Sequence, residues 1–315
     1  MSLPTGKDVQ AVDPILTNML LAYYQSENRF VADRVFPGVS VPYDSGTYYY
    51  FPKGYWFGDN AQPRAYGANY ARGDFGVSTD TFTTIQYALM KTIADEERAN
   101  SQLPMDLETA AIRWLGMQQL IRRERAWASD FMKTGVWSDG TITNKWSDYE
   151  ASDPIADIRT GKRYISQRTG FAPNKLVIGE IVEDRLINHP DLIDRIKFTQ
   201  MAGVGNVRSA LASLFGVDEI LVAAAIYNTV NETQTASMSP IVDDDALLIY
   251  ATPTPGIFEA SAGYTFYWAP GGGLGGIQPI VRDVKSDADL IKTKQQFDQK
   301  ATATDLGYFM ADCVD

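Results

Sequence analysis

The chain has 315 residues, 45% of them hydrophobic and 21% charged, an ordinary globular composition with room for one large domain or two modest ones. No apolar run approaches the ~18 residues of a membrane span, the first residues hold no signal-peptide core, and the single cysteine, Cys313, excludes an internal disulfide and fits a reducing compartment. The net charge of −11 is opposite to the basic excess used to bind phosphates, so a nucleic acid partner would be contained rather than gripped.

Residues 1–43 read as an N-terminal arm. Ile15, Leu16, Met19, Leu20 and Leu21 make part of it apolar enough to dock on another surface, with a short helix expected from Pro14 to about Tyr24. The arm closes in the turn-rich stretch PGVSVPYDSG.

Residues 44–95 hold an unusual density of rings. Of 37 aromatics in the chain, eleven lie between Tyr43 and Phe75, interleaved with Gly46, Gly54, Gly58, Gly67, Gly73 and Gly76. Phe82, Ile85, Tyr87 and Leu89 then partly alternate as in a strand. The pattern predicts a long two-stranded excursion with a glycine-rich tip. Such rings can stack single-stranded bases in a basic groove, but only Lys53, Arg64 and Arg72 supply cations here. A lone two-stranded ribbon is marginal in water, so the rings are expected to pack on another subunit.

PMDLETAAIRWLGMQQLIRRERAWASDFMKTG, Pro104 to Gly135, reads as one uninterrupted helix. Leu107, Ala111, Trp114, Met117, Ile121, Ala128 and Phe131 recur at the spacing of one helical face. Acidic residues come early and Arg122, Arg123, Arg125 and Lys133 late, matching the helix dipole. Its span is roughly 45 Å. VWSDGTITNKWSDYEASDP follows as a polar connector.

A mixed region of helices and strands comes next. PIADIRTGKRYISQRTG, EIVEDRLINHP and RSALASLFG are helical, DLIDRIKFT follows Pro190, and Lys175 to Ile178, VDEILVAAAIYNTV, DDDALLIYATP and GYTFYWAP are strands. DADLIKTKQQFDQKATATDLGYFMADCV reads as a hairpin of two long strands turning at ATATDLG and returning to the long helix.

No catalytic, cofactor or metal constellation emerges. Gly271, Gly273 and Gly276 match G-x-G-x-x-G, but the strand-like IQPIVRDV follows instead of a helix, so a flexible turn is expected. His189, the one histidine, stands before Pro190 and is read as a helix-terminal or surface imidazole. Asp243, Asp244 and Asp245 form a solvated turn, and Asp95, Glu96 and Glu97 are expected to pair with arginines across a subunit contact.

Taken in order, these segments resemble the major capsid protein of tailed bacteriophages, with its HK97-like fold. IQYALMKTIADEERANSQLPMDLETAAIRWLGMQQLIRRE is similar to that family's return from an extended loop into its spine helix, NKLVIGEIVEDRLINHPDLIDRIKF to its axial strand-then-helix, and ADLIKTKQQFDQKATATDLGYFMADCV to its closing peripheral strands. The resemblance implies an α+β chain divided into N-arm (1–43), β-hairpin E-loop (44–95), peripheral domain with spine helix (96–150), axial domain (151–275) and peripheral closing strands (276–315). It implies a structural protein, not an enzyme, whose hexamers and pentamers form the icosahedral head around double-stranded DNA without strong direct binding. The E-loop begins too early to leave room for a long N-terminal scaffolding segment, so scaffold is a separate protein or the chain is processed; portal and decoration proteins are further partners. Assembly takes place in the host cytoplasm and the product is the virion. Inter-subunit contact candidates are Lys53, Tyr55, Trp56, Phe57, Arg64, Arg72, Arg122 and Arg123. Some members cross-link an E-loop lysine to a neighbour's asparagine, which by position makes Lys53 the candidate. An encapsulin-type shell around an enzyme cargo is the alternative within this fold, and an α/β enzyme or ligand-binding protein with residues 46–76 as an aromatic lid is the alternative outside it.

Overall fold

The computed structural model describes residues 25–101, 106–197, 207–230, 234–256 and 259–315. The helix expected at Pro14 to Tyr24 lies outside them. Two sheets share one long helix. The first sheet is centred on β14 (Ala288–Ala301). Along one edge β14 pairs antiparallel with β4 (Ile85–Ala94). Along the other it takes β13 (Val281–Asp283), β12 (Gly276–Ile277) and β11 (Gly263–Trp268) in succession, and β1 (Gly38–Val41) adds to β11 in parallel. The second sheet has the order β5 (Ser138–Gly140), β15 (Gly307–Met310), β10 (Ala246–Ile249), β6 (Lys175–Gly179), β7 (Glu219–Ala223). β10 and β15 are buried throughout and β6 nearly so, which explains their unbroken apolar runs. Separate two-stranded ribbons join β2 (Ser45–Tyr50) to β3 (Ser78–Thr83) and β8 (Ile226–Asn228) to β9 (Met238–Pro240).

The long helix, α1, runs Leu107–Phe131. Asp106 caps it, accepting from the Glu108 and Thr109 amides. It ends before the expected Gly135 because the Trp137 indole donates to the Phe131 carbonyl at 2.8 Å, turning the chain back. Its first half packs Ala111 and Leu115 on Ile93 and Ile291 of the first sheet. Its second half sends Trp127, Ala128 and Phe131 into the main core beside the second sheet. The buried stripe therefore differs from the expected one: Trp114 is 44% exposed and Leu115 is sealed. Each half answers to a different sheet, so one face cannot serve both.

Helices α2 (Pro154–Thr169), α3 (Glu180–Ile187), α4 (Pro190–Lys197) and α5 (Val207–Phe215) follow. Local signals account for α2: Asp153 caps its start and left-handed Gly170 (φ 76°) ends it.

Four sequence expectations are corrected. The stretch after Phe36 is strand β1 rather than only a turn, because Val41 finds Phe266 and Phe82 to pack on. The polar connector is anchored by two buried tryptophans, Trp137 and Trp146, and contributes β5. The apolar run after Asp218 breaks after Ala223 into β7 and β8, which belong to different sheets. The closing segment is no hairpin: β14 and β15 lie in separate sheets, and a short 3-10 turn, Thr304–Leu306, carries the chain between them.

Two glycines test this packing in opposite directions. A Cβ on Gly179 would lie 1.8 Å from the Asp243 carbonyl oxygen, while one on Gly116 meets nothing within 4 Å. Gly179→Ala is expected to lower stability by about 1–3 kcal/mol or more, and Gly116→Ala, inside α1, to raise it by about 0.5–1 kcal/mol. Urea denaturation of unassembled subunits measures both.

Candidate assembly surface

Residues 51–77 project between β2 and β3 as a loop whose rings face water. Tyr66 is fully exposed, Tyr70 largely so, and Tyr55, Trp56, Phe57 and Phe75 are each more than half exposed. The root is firmly held: Phe82 stacks on Phe266 at 4.8 Å, Tyr48 stacks on the same ring at 5.4 Å, and the Tyr48 hydroxyl donates to Asp80 at 2.9 Å. The tip gathers Phe51, Trp56 and Phe75 into a small ring cluster with centroids 5.5–6.4 Å apart. A Cβ on Gly76 would strike the Tyr55 ring at 2.9 Å, so that glycine lets the returning strand close.

The predicted contact residues divide into two groups. Tyr55, Trp56 and Phe57 present their rings outward, and Arg72 has no ion pair among the described residues. Arg64 lies over the Tyr70 ring at 4.0 Å, holding the loop's own shape. Lys53 pairs with Asp305, drawing the loop toward its own second sheet. On α1, Arg122 stacks on Tyr87 and donates to its hydroxyl at 3.0 Å. Arg123 turns inward: its guanidinium, 8% exposed, binds Asp33 and the Leu274 carbonyl of the same chain. Adjacent in sequence, these two arginines point to different faces of the helix.

Sequence reasoning missed Glu124. It is almost fully buried, and its carboxylate accepts the Val31 amide at 3.0 Å and the Ala32 amide at 2.8 Å, capping the helical turn Ala32–Val35 from across the fold. Burial pushes its carboxyl up to about 7, outweighing the amides that favour the ionised form. A lone glutamate amid arginines carries no signal of this in sequence.

The remaining polar clusters are structural in form. His189 is fully buried, not a surface imidazole; its Nε2 lies 3.1 Å from the Ser152 hydroxyl, and its carbonyl accepts the first amides of α4. Asp95 pairs with Arg282 of its own chain, and Arg98 links Asp289 and Glu108. The glycine-rich segment is a turn with positive φ at Gly272, Gly273 and Gly275, leading into β12. Asp245 is half-buried and accepts the Asp312 amide, so the acidic turn is only partly solvated.

These features match known proteins. Residues 135–269 fit the family model described as phage major capsid protein E. The major capsid protein of Burkholderia phage BcepMu is 30% identical over 226 residues, covering 70% of this chain and 71% of that one. The chain belongs to the phage major capsid proteins. A phage-related protein from Bordetella bronchiseptica RB50 superimposes with a TM-score of 0.69 at 22% identity, over 96% of this chain and 97% of that one. The mature capsid of bacteriophage PhiM1 follows at 0.59 and 14%, over 92% and 88%. The fold is the HK97-like capsid fold. This capsid protein is a structural subunit of the multimeric shell and resides in the virion; its relation by sequence is to a phage head protein, which disfavours the encapsulin alternative.

Glu124 gives the capsid subunit a pH dependence. Its folded-state value, about 7, lies above the unfolded 4.5, so between these the folded chain keeps a proton that the unfolded chain has lost. Stability therefore falls as pH rises through that window and levels off above it. Glu124→Gln is expected to flatten this component between about pH 5 and 7.5. Glu124→Ala orphans two buried amides, costing about 1–3 kcal/mol. Urea midpoints across pH measure both; an unchanged slope in the Gln variant would assign the dependence elsewhere.

Proposed function

We propose that residues 51–77 are the tip of an E-loop that crosses onto a neighbouring subunit, and that this contact helps close hexamers and pentamers into an icosahedral head around double-stranded DNA. The observation that carries this reading is the run of exposed rings on a firmly anchored root. A monomer gains nothing by presenting them, whereas burying each large ring at an interface offers about 1.5–3 kcal/mol. Tyr55, Trp56, Phe57 and Arg72 make the contact, Arg122 flanks it, and Lys53 and Arg64 shape the loop from within. In the proposed division, α1 and the first sheet form the peripheral domain, and the second sheet with α2–α5 forms the axial domain. β15 then belongs with the axial part and β11 with the peripheral part.

The protein acts by assembly, not catalysis. Its charge of −11 repels phosphate within a screening length of about 8 Å, so DNA is enclosed without strong direct binding. Scaffold, portal and decoration functions fall to separate proteins, and assembly precedes release from the host cytoplasm.

Limited trypsin digestion tests the loop. Cleavage after Lys53, Arg64 and Arg72 is expected to be fast in free subunits and slow in assembled particles. Equal rates in the two states would mean that the loop does not bridge subunits.

A further inference from the structure

Helix α2 carries Arg159, Lys162, Arg163 and Ser166 at steps that place them on one face. That face borders the end of α5. There α5 stops in left-handed Gly216 (φ 62°), with the Val217 amide returning to the Ala212 carbonyl at 3.0 Å. The Lys162 ammonium donates to the Phe215 carbonyl at 2.8 Å and to the Gly216 carbonyl, occupying the space a Cβ on Gly216 would take. Lys162 thus caps α5 and fixes the spacing of the two helices. Between them lies an open cleft of about 320 Å³, with Ile158 and Phe215 in its floor and the four polar residues along its wall.

The cleft holds unbalanced positive charge. Arg159 and Arg163 are exposed and have no ion pair among the described residues. Burial and the nearby Arg159 charge both hold the Lys162 ammonium below its ordinary range, and Asp218 offsets this only in part.

The opposite imbalance lies at the start of β10. Asp243, Asp244 and Asp245 gather there with Asp312. Lys145 pairs with Asp312 at 2.8 Å and with the terminal Asp315 at 2.7 Å, not with Asp243, Asp244 or Asp245. Burial first, then the neighbouring carboxylates, push Asp245 up to about 6. Asp243 is exposed and has no ion pair among the described residues. Among the described residues no ion pair links this edge to the cleft.

We propose that the cationic cleft between α2 and α5 receives the Asp243–Asp245 edge of a neighbouring copy of this chain. The proposal rests on the shell-forming reading. Subunits that associate head to tail in a ring bring two different patches together, and each patch must complement the other. Here each keeps an excess of one charge within the subunit, and their signs are opposite. Duplex DNA is the weaker occupant: phosphate binding needs cations spread along a broad surface, whereas this chain offers three in one cleft with an apolar floor. Opposite charges across the interface also set the register between subunits and exclude self-matched patches. Each pair is individually weak and salt-sensitive, so the effect accumulates around the ring.

Charge reversal tests this. Arg159→Glu with Arg163→Glu is expected to raise the concentration needed for assembly about tenfold or more at low salt, as is Asp243→Arg with Asp244→Arg. Combining all four changes in one chain should restore assembly, because the reversed patches again meet across the contact. Thermal unfolding of unassembled subunits reports whether each variant keeps its fold. Independently, Arg159→Cys subunits mixed with Asp243→Cys subunits should form a disulfide-linked dimer in particles under mild oxidation. Assembly unchanged by the arginine reversals, or absence of both rescue and cross-link, would overturn the proposal. Normal shells with reduced DNA content would reassign the cleft to DNA and overturn it too. If wild-type chains formed no shells, the shell-forming reading itself would fail, and the cleft with it.

Discussion

The subunit is organised by the contact between Glu124 and the amides of Val31 and Ala32. It fixes the segment before β1 against the middle of α1, and everything downstream of that segment inherits the placement. Phe36 enters between Trp127, Phe131 and Trp137, at 4.8–6.3 Å between ring centroids. Gly263 must be a glycine to admit it, since a Cβ there would lie 2.5 Å from the Phe36 ring. The Pro37 carbonyl then accepts the Thr265 amide, setting the register of β1 on β11. β11 carries Phe266, on which Phe82 and Tyr48 stack. One buried carboxylate is therefore linked through a chain of contacts to the direction in which the aromatic loop leaves the body.

That loop is an incomplete piece of structure. Three rings packed at its tip exclude too little water to order a segment of this length, because each residue fixed costs roughly 1–2 kcal/mol of backbone entropy. Exposed apolar patches of this kind mark interaction surfaces. The firm root sets the direction of the loop, and in the proposed assembly the neighbouring subunit supplies the rest of its core.

Charge is distributed with the same economy. Buried or half-buried ions hold parts of the chain together: Arg123 with Asp33, Glu183 with Arg208, Lys162 with the end of α5. Charge of one sign is in excess at the α2 cleft, where Asp218 offsets Lys162 only in part, and at the β10 edge, where Lys145 answers Asp312 and Asp315. Internal ion pairs fix geometry within the subunit, and in the proposed contact the unmatched surface charge serves association, where it acts over several ångströms and responds to salt.

Much of the architecture was legible locally. The end of α2 was marked by Gly170, β6 and β10 by their apolar runs, and the existence of the long helix, though neither its last turns nor its buried stripe, by its repeat and its charge order, because these signals act between residues a few positions apart. The aromatic density of residues 43–75 likewise marked the loop between β2 and β3, whose rings are exposed; its contact with a neighbouring subunit is a proposal. What only the tertiary structure decided was pairing at a distance. β14 and β15 looked like two arms of a hairpin, yet each completes a different sheet; strand partners are chosen by the whole surface available, not by the turn between them. The same holds on α1, where Leu115 is buried and Trp114 exposed, and where Arg122 faces outward while Arg123 and Glu124 face in. A helical repeat gives the angle between side chains but not the orientation of the helix about its axis. That orientation was set by two sheets and the N-terminal segment meeting on one rod.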